Sequence, residues 1–412
     1  MLLWFYKNHM GVDMDKLYGI FKEMSSNNHY VSVTKALNSA HTSRETEKTL
    51  RALTGECSHG GYLVIHNGMA YASFIHNYTE HNDDPFSSGL VLELGIAPLE
   101  RLLSEDFDRE RDMHVVRFDK NKDIIGEINT TSAFICNSLC LIGDKLHITL
   151  GAQVDGERYP LLHVVYDTAT KQFSKAKEMK LSYKGELCPF DDITLNSIYG
   201  ELGYGDGGHG MPQTTSRWNE YKGYYYTAFL LDGGKNNNGF VIRTRDFDTV
   251  EFVSVVPENE RGGAEIGTYV FDGKLYVACR QRWTTPYMLF SRLDLENGEW
   301  KEPYCIQDAN SRPWMFEYKG ELYLYNTLDE AWRRYANISK VRTDKKAHNS
   351  KNSPIDTVAT VYGCGAYHSF FVYEDRIYFV CSYRGVVNFG ELKLKLYDTD
   401  KVNDRLIELF GE

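Results

Sequence analysis

The sequence predicts an all-β protein, a six-bladed β-propeller with short helical segments at its ends. Three observations carry that expectation. Two-residue turns inside Val-, Ile- and Tyr-rich runs recur six times along the 412 residues. Between the turns lie second strand pairs, such as GFVIRTRDFDTVEFVSVVP (239–257) and PYMLFSRLDLENGEWKEPY (286–304), so that each unit amounts to about four short strands. Helix-like periodicity is confined to the two ends of the chain. Four-stranded units repeated radially leave only short, protected sheet edges, which is the logic of a propeller.

The six turn units are HNGMAYASF from His66, IGDKLHITL from Ile142, YKGYYYTAF from Tyr221, FDGKLYVAC from Phe271, YKGELYLYN from Tyr318 and YEDRIYFVC from Tyr373. Asp272-Gly273 is the strongest short-range hairpin signal among them. Residues 13–24 (DMDKLYGIFKEM), 42–54 (TSRETEKTLRALT, followed by Gly55) and 400–410 have helical spacing with capping residues. The expected organisation is therefore an N-terminal helical or irregular cap over 1–56, one propeller over 57–398 and a C-terminal helix packing on it over 399–412. The polar stretch KKAHNSKNSP (345–354) reads as an exposed loop.

A net charge of −11 disfavours a nucleic-acid groove or an anionic membrane surface as partner. The 29 tyrosines suit strands first and sugar-stacking surfaces second. The eight cysteines form no CxxC pair and no Cys/His cluster of zinc spacing, so free thiols in a reducing compartment and no bound metal are expected. No phosphate-binding glycine loop, HExxH or G-x-S-x-G is present, and no cofactor is expected. MLLWFYKNHM is too short in its apolar run for a signal-peptide core, and no segment approaches the ~20 apolar residues of a membrane span. As numbered, the chain reads as cytoplasmic; a trimmed export signal would make it secreted or periplasmic.

Counting back seven residues from the turn lands on Glu265 in the fourth unit, Arg312 in the fifth and Tyr367 in the sixth. The equivalent positions of the first three units hold Gly60, Cys136 and Thr215. Arg280 lies seven residues after Gly273, so it should meet Glu265 at the open end of its hairpin. Around the mouth of a propeller channel, these positions bring together a carboxylate, two guanidiniums and a phenol. Taken singly, each is as well explained as a polar strand start; taken together, they point to a site.

With these residues in hand, the chain over roughly 57–398 resembles the sialidase (neuraminidase) superfamily of six-bladed propellers. GDGGHGMPQ (205–213) resembles the glycine-rich entry to that family's third blade. RTRDFDTVEF (243–252) and RLDLENGEW (292–300) resemble degenerate Asp-boxes, with Asp246 in the first and Asp294 or Glu296 in the second. The resemblance implies an exo-α-sialidase-like glycosidase that removes a terminal acidic sugar from glycans with retention. It implies that Tyr367 is the nucleophile, that Glu265 accepts its proton and that Arg280 and Arg312 clamp the substrate carboxylate. A phenol suits this chemistry, because an anionic nucleophile would be repelled by the sugar's own carboxylate. The acid implied for the leaving oxygen is Asp83 or Asp84, in HNYTEHNDDPFSS (76–88). The pattern departs at CSHGGYLVI (57–65), where Ser58, His59 and Gly60 stand in place of the family's first arginine. Arg44 or Arg51 from the preceding helical segment would have to complete the set of three arginines, and His59, when protonated, could contribute one charge there.

Two other readings share the fold. His59, His209 and His368 sit at strand entries beside Tyr367 and the arginines, which would also suit a lyase acting on uronic-acid glycans with a His/Tyr acid–base pair. A glycan-binding propeller without turnover is the third reading.

Overall fold

All six two-residue turns form where the repeats place them. His66 faces Met69, Ile142 faces Lys145, Tyr221 faces Tyr224, Phe271 faces Lys274, Tyr318 faces Glu321 and Tyr373 faces Arg376. In five of them both central residues have positive φ, from Asn67 (49°) and Gly68 (72°) to Glu374 (48°) and Asp375 (57°). Such turns carry the twist of the strands they join. The computed structural model describes residues 48–55, 58–78, 90–118, 122–125, 135–154, 158–203, 211–232, 239–257, 263–281, 287–301, 303–307, 311–327, 335–343, 354–362, 366–383 and 385–394.

Each hairpin belongs to a different antiparallel sheet, and the six sheets are the blades of a six-bladed propeller. Blade one is Ser58–His66, Met69–Asn77, Leu90–Pro98 and His114–Arg117. The inner strands of the others begin at Ile135–Ile142, Met211–Thr214, Gly263–Phe271, Trp314–Tyr318 and Ala366–Tyr373. Residues from all six inner strands line one axial cavity. Apolar side chains from alternate strand positions fill the wedges between blades, as Leu92, Ile148, Phe316 and Phe379 do in the largest cluster. The packing leaves no slack at Gly267, where a Cβ would stand 2.6 Å from the carbonyl oxygen of Pro313 in the next blade.

Blade six corrects the expectation of a helix over 42–54. Lys48–Ala52 is a strand, antiparallel to Val386–Leu392 and outermost in the last blade. Without it, blade six would have three strands and an open edge. Satisfying that edge outweighs the weak helical preference of KTLRA. Within the expected cap, Lys48–Ala52 therefore belongs to the propeller itself. The helices expected at 13–24 and 400–410 lie outside the described residues.

The structure also contains a helix that the repeat reading passed over, Asp192–Glu201. Its signal was present: Asp191 caps it, accepting from the Thr194 amide at 2.9 Å, and Leu195, Ile198 and Tyr199 follow at helical spacing. Blade three is the irregular one. Its inner strand is interrupted between Thr214 and Asn219, and a further hairpin, Lys180–Tyr183 with Glu186–Pro189, joins its outer side in parallel with Thr249–Val255. At the interruption, Thr215 and Ser216 turn their hydroxyls onto blade four, accepting from the amides of Ile266 and Thr268 at 2.6 Å each.

Asp246 and Asp294 each close the turn that follows the third strand of a blade. The Asp246 carboxylate accepts from the amides of Asp248 and Thr249, and that of Asp294 from those of Glu296 and Asn297. Asp167 does the same in blade two with Ala169 and Thr170, a third case of the same Asx turn. No helix among the described residues is long and apolar enough to cross a membrane.

Candidate active site

The inner strands of blades one, four and six are not regular at their entries. Ladder register shifts between His59 and Tyr62, between Gly263 and Ile266, and between Ala366 and Ser369. Each shift is a bulge that includes the position seven residues before the turn. A bulge adds a residue and re-aims its side chain, so three blades use one device at one end of the channel. In blade one, two glycines with φ of 69° and 151° occupy it. In blade six it puts Tyr367 at φ 56°, the left-handed region that a bulky side chain enters only when its surroundings hold it there.

Those surroundings are Arg312, whose Nη2 donates to the carbonyls of Tyr367 (2.8 Å), Gly61 (2.9 Å) and His368 (3.2 Å). One guanidinium thus pins the bulges of blades one and six together. It lies 4.7 Å from the ring centroid of Tyr62 and 5.2 Å from that of Trp314, with Tyr367 at 5.8 Å. The side chain is buried, at 3% exposure for the residue. The Nη2 contacts of Arg312 are to backbone carbonyls, so through this nitrogen Arg312 braces Tyr367. Trp314, two residues on, was the unread sequence signal of that stacked setting.

Glu265 and Arg280 meet as the hairpin count requires, in an ion pair between Oε2 and Nη1. The same Nη1 donates to the Tyr367 hydroxyl at 3.3 Å. Carboxylate and phenol thus share one guanidinium nitrogen. Burial pushes the Glu265 carboxyl up, but the charge and hydrogen bond of Arg280 outweigh it and hold the group below the usual carboxylate range. For Arg280, burial works against the charge, and Glu265 and then Tyr367 more than restore it, so its pKa is raised. The pair stays ionised. With Arg312 behind it, the cluster has two positive groups and one negative.

His59 packs edge-on against Tyr367, ring centroids 4.1 Å apart and planes at 70°. His368 is corrected from a substrate contact to a core residue. It is 1% exposed, with its ring against Tyr325 (4.3 Å), Phe379 (5.3 Å) and Phe370 (5.5 Å). The bulge that turns Tyr367 to the channel turns its neighbour inward. Asp83, Asp84 and His209 lie outside the described residues. Among the described residues, no group of three or more His, Cys, Asp or Glu has the geometry to hold a metal ion.

No protein-family model and no curated protein matches the sequence. Solved structures do match the fold. A mutant of Trypanosoma rangeli sialidase displaying trans-sialidase activity superposes with a TM-score of 0.53 at 12% identity, over 88% of this chain and 60% of that one. A mutant of NanB sialidase from Streptococcus pneumoniae does so at 0.51 and 13%, over 82% and 69%. A protein of unknown function from Dyadobacter fermentans matches at 0.52 and 10%, over 84% of this chain and 99% of its own. The chain spans about 60% of the length of the trypanosomal sialidase. At these identities the likeness is one of architecture: the chain has the sialidase-like six-bladed propeller fold.

Proposed function

We infer that the protein is a retaining glycoside hydrolase that removes a terminal acidic sugar, sialic acid or a close relative, from glycans. The observation that carries this reading is the Tyr367 hydroxyl held on the Arg280 nitrogen that also binds Glu265, with the Tyr367 backbone pinned in a strained bulge. In the reaction, the phenol oxygen bonds to the anomeric carbon as the glycosidic bond breaks. Its proton passes to Glu265, and the leaving oxygen takes a proton from the acid assigned to Asp83 or Asp84. Water, giving its proton to the same aspartate, then attacks the anomeric carbon from the vacated face; the bond to Tyr367 breaks and the phenol recovers its proton from Glu265, so configuration is retained. Arg280 stabilises negative charge on the phenol oxygen as it forms, which lowers the cost of using a group whose ordinary pKa is near 10. The surplus positive charge of the cluster favours an anionic sugar. His59 stands on the blade-one side of the phenol, where it adds charge only when protonated.

The His59–Tyr367 contact favours a second reading, a lyase that takes the C5 proton of a uronate with this pair. One screen separates the two. α-Sialosides and uronides with fluorogenic leaving groups are assayed for fluorophore release and for the ultraviolet absorbance of an unsaturated uronate. Release without absorbance, abolished about a thousandfold or more by Tyr367→Phe with an unchanged melting curve, supports the hydrolase. Wild-type turnover by Tyr367→Phe would remove the nucleophile. Absorbance at the uronate double bond would replace the hydrolase by the lyase.

A further inference from the structure

The axial cavity is a chamber of about 290 Å³. Tyr62, Cys140, Arg217, Tyr269, Trp314 and Phe370 are among its lining residues, with each inner strand contributing. It lies toward the hairpin-turn end. Tyr269 is four residues beyond Glu265 on one strand, ~13 Å at ordinary strand rise. The rings of Tyr62 and Trp314, centroids 5.8 Å apart, line the chamber and also carry the Arg312 guanidinium.

The chamber has its own chemistry. Its walls are aromatic, and its cation is Arg217, half-buried, with the guanidinium carbon 5.1 Å from the Tyr269 ring centroid. Among the described residues, no carboxylate forms an ion pair with it. The neighbouring polar groups are committed elsewhere. The Asn219 amide donates to the Tyr226 carbonyl and Thr268 Oγ1 and accepts from the Val270 amide. Glu220, which also lines the chamber, accepts from the Gly223 amide in its own turn, and Glu317 accepts from the Tyr269 hydroxyl at 3.5 Å; both keep their charge, but neither is in an ion pair with Arg217. Burial pushes the Cys140 thiol up to about 12, so it adds no charge. An unneutralised guanidinium beside aromatic faces is complementary to a flat carboxylate. The volume, at the small end of ligand sites, suits a single-ring molecule.

We propose that this chamber is a second binding site, separate from the Glu265–Tyr367 rim, for a small aromatic carboxylate whose ring lies among the aromatic walls and whose anion meets Arg217. The site requires none of the roles assigned to Tyr367. Calorimetric titration with phenylacetate, phenylacetamide and benzylamine tests it. Phenylacetate binds the wild type; Arg217→Gln and the change to phenylacetamide each weaken binding about tenfold or more, the value of one charge-assisted contact. Arg217→Lys falls between, because it keeps the charge and loses the planar fork, and it also serves if the glutamine variant does not fold. Arg280→Gln leaves phenylacetate affinity unchanged. The proposal is overturned if phenylacetate does not bind, if the amide or the amine binds as tightly, if Arg217→Gln has no effect, or if Arg280→Gln abolishes binding, which would put the anion at the rim.

Discussion

Arg312 shows what a residue count reads and what it misses. Counting from the turn placed it correctly, at the same channel end as Glu265 and Tyr367. It did not disclose that Nη2 would be spent on three carbonyls, because the bulges supplying them are features of paired strands, invisible in one strand alone. His368 was misread for the same reason: in a bulge, neighbouring side chains no longer alternate as a regular strand would have them. Lysine at 312 keeps the charge, but its ammonium falls one bond short of the Nη2 position and it lacks the planar group set against Tyr62 and Trp314, and unsatisfied buried carbonyls cost about 1–3 kcal/mol. Arg312→Lys is therefore expected to lower the melting temperature by several degrees and to lower kcat more than it raises KM. A rise in KM at constant kcat and stability would return Arg312 to the substrate clamp.

At the level of elements, the turns and their strands were legible because Asn67-Gly68 or Asp272-Gly273 is a local chemical signal. Lys48–Ala52 was not, because its partner strand lies at the far end of the sequence. Two contacts between elements have measurable consequences. Gly267→Ala would drive a methyl group into the Pro313 backbone, and such overpacking typically costs about 1–3 kcal/mol; chemical denaturation should show the loss without a change in slope. Between blades two and three, His147 Nδ1 lies 3.0 Å from His163 Nε2, and Asp248 lies 3.3 Å from His163 Nδ1. Burial, then the neighbouring His163 and Lys145, push His147 down to about 4, with Asp248 opposing. Because the unfolded imidazole titrates near 6.5, the stability of keeping it neutral is complete above that pH and is lost as pH falls through about 4. His147→Gln should flatten the fall in melting temperature across that window. An unchanged slope would show that other groups control it.

For the whole molecule, six hairpins imply six blades, and the ring follows. What closes the ring did not follow, since no local pattern tells a segment that it will complete a distant sheet. If the Lys48–Ala52 ladder is the clasp, removal of residues 1–52 should lower the melting temperature and broaden the transition, with near-ultraviolet circular dichroism reporting loosened aromatic packing in blade six. A truncated chain that melts like the full-length one would show the clasp to be dispensable.

The same clasp sets an order of events during synthesis. A ribosome releases Lys48–Ala52 early, yet its mate, Val386–Leu392, emerges only after five blades have been translated. Until then the early segment is an orphan able to pair with a neighbouring nascent chain on the same message, and the final loop closure is among the costliest the polypeptide makes. Assembly yield should therefore suffer with crowded polysomes and improve when translation initiates sparsely.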